Sequence, residues 1–111
     1  GGSTIVARGH SVAGSGWPVA VGSAGPARRT VHLLDEALST SGASEQVFEV
    51  CGRRLGHILD PRTGQPTSRA GTVAVIARTG TLAEATSTAL FLLGTAPAKR
   101  LLAAAGARRC A

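Results

Sequence analysis

His57-Ile58-Leu59-Asp60-Pro61-Arg62-Thr63-Gly64 reads as an extended segment running into a reverse turn. Asp60 stands at the first turn position and Pro61, with its preset φ, at the second. Immediately upstream, Val47-Phe48-Glu49-Val50 and Arg53-Arg54-Leu55-Gly56-His57-Ile58 flank the dipeptide Cys51-Gly52. Two such runs joined by two residues, the second a glycine, predict a hairpin. Cysteine is a poor substitute for the usual Asn or Asp, but Gly52 supplies the harder position, so Cys51 is expected to be an exposed turn residue.

Outward from this segment the pattern alternates strands and turns before it becomes helical. Downstream, Thr-Val-Ala-Val-Ile-Ala over 72–77 is a continuous apolar run rich in β-branched residues, expected as a buried central strand. Arg78-Thr79-Gly80 turns the chain, and Thr81-Leu82-Ala83-Glu84 has the capping-box pattern of an N-cap hydroxyl with a carboxylate three residues on. A helix is expected from Leu82 to Leu93, ended by Gly94, and a second from Pro97 to Ala105, ended by Gly106. Upstream, Thr4 to Ala7, Trp17 to Val21 and Thr30 to Leu34 read as strands. Gly9 to Gly16 and Gly22-Ser23-Ala24-Gly25-Pro26 read as the loops between them. The fold class is therefore α+β, antiparallel strands and hairpins first and two helices last.

With 111 residues the chain is one domain at most. Phe48, Phe91 and Trp17 are its only aromatics, so the core must be aliphatic. No Met occurs and the chain opens Gly1-Gly2-Ser3, which leads us to expect a portion of a longer protein with part of any site upstream. The net charge of +6 lies in scattered pairs such as Arg28-Arg29 and Arg53-Arg54. Binders of nucleic acid usually interleave such charges with aromatics, and that argues against nucleic acid here. Cys51 and Cys110 fit no metal-binding spacing and leave a disulfide open; Cys110, next to the last residue, is expected to fray. The longest apolar stretch, Ala89 to Leu93, falls far short of the roughly 20 residues that cross a bilayer.

Three polar clusters could carry chemistry. Ser39-Thr40-Ser41-Gly42 is read as a strand-to-loop junction, either an ordinary loop or a donor surface for a ligand. His57 with Asp60 and Arg62 either faces a phosphate-bearing ligand, Arg through its planar fork and His as a proton carrier, or merely shapes a turn. Glu84 and Thr88, at i and i+4, project from one helix face and bring a carboxylate and a hydroxyl together. Hard cations such as Mg²⁺ favour such oxygens, yet on spacing alone the capping role of Glu84 competes.

In this order, Ala37 to Gly42, Phe48 to Gly52, His57 to Gly64 and the helix Leu82 to Gly94 resemble the ApbE family, the FAD:protein FMN transferases. The resemblance covers nearly the whole chain, and His-x-x-Asp-Pro-x-x-Gly is its most specific piece. It implies an ApbE-like (T-fold-related) domain, of which residues 1–111 form the C-terminal part with the upstream part missing. It implies binding of FAD and Mg²⁺, transfer of FMN from FAD to a Ser or Thr hydroxyl of an acceptor flavoprotein, and release of AMP. By resemblance, Glu84 and Thr88 are the metal ligands, His57, Ile58 and Leu59 contact the flavin nucleotide, and His57 is the catalytic candidate. Family members are often lipid-anchored outside the cytoplasmic membrane, through residues upstream of this segment.

This chain departs from the family pattern in two places. Glu84 stands where the family usually has Asp, and Ser3 where an acidic or amide residue commonly follows Gly1-Gly2. Two other readings stand beside the transferase: a non-catalytic relative that keeps the fold, which these departures favour, and a small basic nucleic-acid-binding module.

Overall fold

The computed structural model describes residues 4–22, 25–42 and 47–110. Its elements in chain order are β1 (Thr4–Val6), β2 (Trp17–Val21), β3 (Arg29–Leu33), β4 (Ala37–Gly42), β5 (Val47–Val50), β6 (Arg53–Gly56), β7 (Leu59–Asp60), β8 (Gln65–Pro66), β9 (Thr72–Ala77), α1 (Gly80–Leu93), α2 (Thr95–Ala105) and β10 (Arg108–Arg109). The apolar run over 72–77 is a central strand, as its composition predicts. It lies in a four-stranded antiparallel sheet of order β1-β4-β9-β10, in which β4 and β9 are the inner pair.

Register decides what each face of this sheet carries. Leu38 pairs with Ile5 and Ile76, while its neighbour Ser39 pairs with Thr4 and Val75. Because side chains alternate along a strand, Ile5, Leu38, Ala74 and Ile76 fall on one face. There they pack against Val21 and Leu33, with Val19 and Val31 partly covered, on the β2–β3 hairpin. The opposite face carries Ala37, Ser39, Ser41, Val75 and Ala77, against Ala83, Leu90, Ala98 and Leu102 of the helices. The sheet is thus sandwiched between a hairpin and a helical layer, with aliphatic cores on both sides.

The Ser39–Gly42 segment is not a strand-to-loop junction. All of it lies within β4, where Ser39, Ser41 and Gly42 are buried. It pairs along its whole length with β9 and through Ser39 with β1, and the hydroxyls of Ser39 and Ser41 find partners on α1. The expected hairpin forms as β5–β6, with Cys51 (φ 51) and Gly52 (φ 73) both left-handed and Cys51 exposed. Asp60 to Gly64 turns as expected, the Asp60 carbonyl accepting from the N–H groups of Thr63 (3.2 Å) and Gly64 (2.8 Å). A further short pair, β7–β8, closes around that turn. The expected Gly22–Pro26 turn includes Ser23 and Ala24, which lie outside the described residues.

Helix α1 starts two residues earlier than the capping-box pattern suggests. Thr79 is the N-cap: its backbone is extended (φ −129, ψ 154) and its hydroxyl accepts from the N–H of Leu82 at 3.2 Å. Thr81 lies inside the helix, and Glu84 stands two residues beyond the capping-box position of a helix that starts at Thr79. Gly80 allows this start, because a Cβ there would meet Val6 Cγ2 at 3.2 Å and Thr4 Cγ2 at 3.7 Å. Glu84 is thereby released from backbone capping. Gly94 ends α1, donating its N–H to the Leu90 carbonyl at 2.9 Å, and Gly106 (φ 61) ends α2 in the left-handed conformation. Pro97 falls in the first turn of α2, where N–H groups have no intrahelical acceptor.

The chain end is tied down, contrary to the expected fraying. Strand β10 pairs with β9, and the Cys110 N–H donates to the Ala74 carbonyl at 2.9 Å. Arg108 grips Glu36 through both guanidinium nitrogens, Nη1 to Oε1 at 2.6 Å and Nη2 to Oε2 at 3.1 Å. Both cysteines are free thiols, and burial pushes that of Cys110 upward in pKa. No helix among the described residues is long and apolar enough to cross a membrane.

The capping assignment is open to a direct check. Thr79→Ala is expected to destabilise the fold by about 1 kcal/mol and Thr81→Ala by roughly half a kcal/mol or less, measured by urea unfolding. Equal effects, or the reverse order, would restore Thr81 as the cap.

Candidate active site

Between β4, the segment leaving β6 and one face of α1 lies a cleft of about 420 Å³ lined by Thr40, Ser41, His57, Ile58, Leu59, Glu84 and Thr88. This volume falls within the range of small-molecule sites. Each wall has a local cause. The β5–β6 hairpin delivers His57 at its exit, and Ile58 is buried, its carbonyl accepting from the Thr67 N–H at 2.9 Å. With Ile58 as the anchor, His57 and Leu59 are left exposed on either side. Glu84 and Thr88 come from successive turns of α1, so helical geometry puts them on one face.

Beneath the cleft runs a network of hydroxyls. Glu84 Oε2 accepts from Thr4 Oγ1 and from Ser39 Oγ, the latter at 2.7 Å. Ser39 Oγ lies 3.2 Å from Thr4 Oγ1 and receives Ser87 Oγ at 3.3 Å. Ser87, fully buried, also contacts Ser41 Oγ at 2.8 Å and the Glu84 carbonyl at 3.1 Å. Ser41 Oγ in turn reaches Thr88 Oγ1 at 3.1 Å. The Thr4 hydroxyl, and after it that of Ser39, holds the Glu84 carboxyl below its ordinary pKa, with partial burial opposing. Glu84 is therefore ionised at neutral pH.

The donor set suits a hard cation. Glu84 offers a carboxylate and Thr88 a hydroxyl, and among the described residues both hydrogen bonds to the carboxylate fall on Oε2. No group of three or more His, Cys, Asp and Glu side chains gathers among the described residues. A cation held here would draw its remaining oxygens from water and substrate phosphate, a pattern normal for Mg²⁺.

His57, Ile58, Leu59, Glu84 and Thr88, singled out in the sequence, all border this one cleft. Asp60 and Arg62 do not. The Arg62 guanidinium closes on Asp60, Nε to Oδ1 at 3.0 Å and Nη2 to Oδ2 at 2.7 Å, and Asp60 Oδ1 also accepts from the Arg62 N–H at 2.9 Å. Arg62 is thus paired within its own turn, outside the lining of the cleft. Thr4 and Ser87 were missed by the sequence reading. Ser87 follows Glu84 by three residues, a usable helical signal; Thr4 becomes visible only once β1 is registered against β4. Gly1, Gly2 and Ser3 lie outside the described residues.

An α+β domain whose hydroxyl-lined cleft holds an ionised carboxylate, with a histidine at its border, has the frame of a small-ligand site. The chain belongs to the ApbE family, whose model matches residues 1–110. It is 35% identical over 81 residues to an FAD:protein FMN transferase of Klebsiella pneumoniae (strain 342), covering 68% of this chain and 23% of that protein. It is 42% identical over 65 residues to an FAD:protein FMN transferase of Chlamydia trachomatis, covering 59% of this chain and 20% of that one. Among solved structures, the flavinyl transferase ApbE of Pseudomonas stutzeri in its apo form superposes with a TM-score of 0.71 at 35% identity, over 96% of this chain and 34% of that one. The ApbE protein of Thermotoga maritima gives 0.76 at 32% identity, over 92% and 34%. The chain therefore spans about a quarter of these curated relatives and a third of these solved chains.

The Asp60–Arg62 pair makes a pH prediction. The Arg62 side chain first, and its N–H second, lower the Asp60 pKa to about 2. A folded-state pKa below the unfolded one means that the turn's contribution is complete above the ordinary carboxylate range and is lost as pH falls toward 2. Arg62→Ala should return the Asp60 midpoint toward its ordinary value of 3.8, read by NMR titration of the carboxyl carbon. An unmoved midpoint would show that the ion pair does not form.

Proposed function

We propose that this chain supplies one wall of the active cleft of an Mg²⁺-dependent FAD:protein FMN transferase, which moves FMN from FAD to a Ser or Thr hydroxyl of an acceptor flavoprotein. The observation that carries the reading is the convergence of His57, Ile58, Leu59, Glu84 and Thr88 on a single cleft. The relatives' names, FAD:protein FMN transferase, support it.

In this reading the flavin nucleotide lies along His57, Ile58 and Leu59, with its pyrophosphate toward Glu84 and Thr88. The acceptor oxygen attacks the flavin-side phosphorus, the bond from that phosphorus to the bridging oxygen breaks, and AMP leaves. His57 takes the proton from the attacking hydroxyl, a role general for histidine near neutral pH. Glu84 and Thr88 would hold Mg²⁺, which when bound neutralises charge on the phosphate oxygens. Thr40 and Ser41 supply polar surface along the same cleft.

A second reading, a relative that keeps the fold without transfer, rests on one observation: Glu84 is the sole acidic residue lining the cleft among the described residues. Both are tested by incubating the full-length protein with FAD, Mg²⁺ and an acceptor flavoprotein, then reading covalent flavin fluorescence in a denaturing gel. Transfer is expected, with His57→Ala slowing it by about 10²–10⁴-fold and Glu84→Gln by on the order of 10-fold or more. Transfer indifferent to both variants would sink the site assignment. Absence of transfer from the parent, restored by Glu84→Asp, would favour the second reading.

A further inference from the structure

Glu84 and Thr88 are joined twice, once along α1 and once beneath it. From Thr88 Oγ1 the path runs to Ser41 Oγ (3.1 Å), Ser87 Oγ (2.8 Å), Ser39 Oγ (3.3 Å) and Glu84 Oε2 (2.7 Å). A hydroxyl has one proton to give and two lone pairs to receive with. An ionised carboxylate only accepts, so it sets the direction at its end of the path. Ser39 donates to Glu84; Ser87 shares its one proton between Ser39 (3.3 Å) and the Glu84 carbonyl (3.1 Å), so it accepts from Ser41, which turns the Thr88 proton toward Ser41. The lone pairs of Thr88 and the second oxygen of Glu84 are then left for the cleft.

We infer that Ser39, Ser87 and Ser41 are positioning residues, a polarised hydroxyl chain that orients Glu84 and Thr88 as joint oxygen donors to one divalent cation. Burial gives the chain its rigidity: Ser39 and Ser87 have no exposed surface and Ser41 is 6% exposed. Water therefore competes little for these hydroxyls, and each hydrogen bond is exchanged only for another within the chain. Thr4 adds a second donor to Glu84 from the neighbouring strand β1. Together they hold a glutamate, which has one more rotatable bond than aspartate, in one place. Ser39 and Ser41 come from β4 and Ser87 from α1, so the chain also ties the helix to the sheet at the depth where the two donors stand.

The inference rests on Glu84 and Thr88 being the cation's ligands, and the test separates the two claims. Mg²⁺ alone is titrated calorimetrically into the full-length protein and its variants, with circular dichroism to follow folding. Ser87→Ala is expected to weaken Mg²⁺ binding by about tenfold, within the roughly 10–100-fold range for lost partners of metal ligands. Ser41→Ala should cost several-fold in the parent and less than about twofold in a Thr88→Ala background, because its partner at the cleft is gone. Thr4→Ala, at an exposed position, should weaken binding several-fold without disturbing the fold. Binding abolished by Glu84→Gln but untouched by Ser87→Ala, Ser41→Ala and Thr4→Ala would overturn the chain and spare the ligand assignment. An equal loss from Ser41→Ala in both backgrounds would reduce its role to general packing and overturn the inference. No Mg²⁺ binding by the parent would bring down the ligand assignment and the chain with it.

Discussion

Strand β4 must bury serines in the middle of a sheet, and the arrangement above it follows from that demand. A hydroxyl placed against an apolar helix would forfeit its hydrogen bonds, a cost of about 1–3 kcal/mol each. Here Ser39 and Ser41 face α1, and α1 presents Glu84, Ser87 and Thr88 to meet them. The helix is thereby fixed in rotation as well as in position. Turning α1 by one residue would put Ala83 or Ala85 in the place of Glu84 and carry the carboxylate out of reach of Ser39. Core packing of Leu90 against Val75 supplies affinity between the layers, while the hydroxyls supply register.

The division of labour between the two sheet faces follows the same logic. The face toward the β2–β3 hairpin packs an aliphatic cluster of Leu38, Ala74 and Ile76 against Val21 and Leu33 and buries no serine. The face toward the helices mixes alanine, valine and serine, with small side chains that let α1 approach closely. Polar atoms there stand next to a cleft, where water and ligand reach one end of the network. Buried polarity and site chemistry thus share a single set of residues.

Local chemistry made much of the fold legible. A Cys-Gly turn between two strands, an Asp-Pro turn, an apolar β-branched run and two glycines after helical patterns each act within a few residues, and each element stands where its signal is. Signals that require a choice between neighbours were less secure. Thr79 and Thr81 both offer an N-cap hydroxyl, and it is Thr79 that caps, accepting from the Leu82 N–H. Two-residue strands such as β10 have no pattern to read and are formed by the strand they join. In the site, the i, i+4 spacing of Glu84 and Thr88 was readable, whereas their convergence with His57 depends on how a hairpin exit meets a helix face. Thr4, 80 residues from Glu84, could not be paired with it before the β1–β4 register was known.

Gly80 gives the domain an unusual kind of vulnerability. A Cβ there would stand 3.2 Å from Val6 Cγ2, so the exposed Val6 would have to give by a few tenths of an ångström. A side chain at this position would therefore act on β1 at the end of α1 that carries Glu84, beside Thr4, its donor from that strand. Stabilising changes at this position thus bear on the cleft as well as on the helix, and thermal stability alone would not report on it.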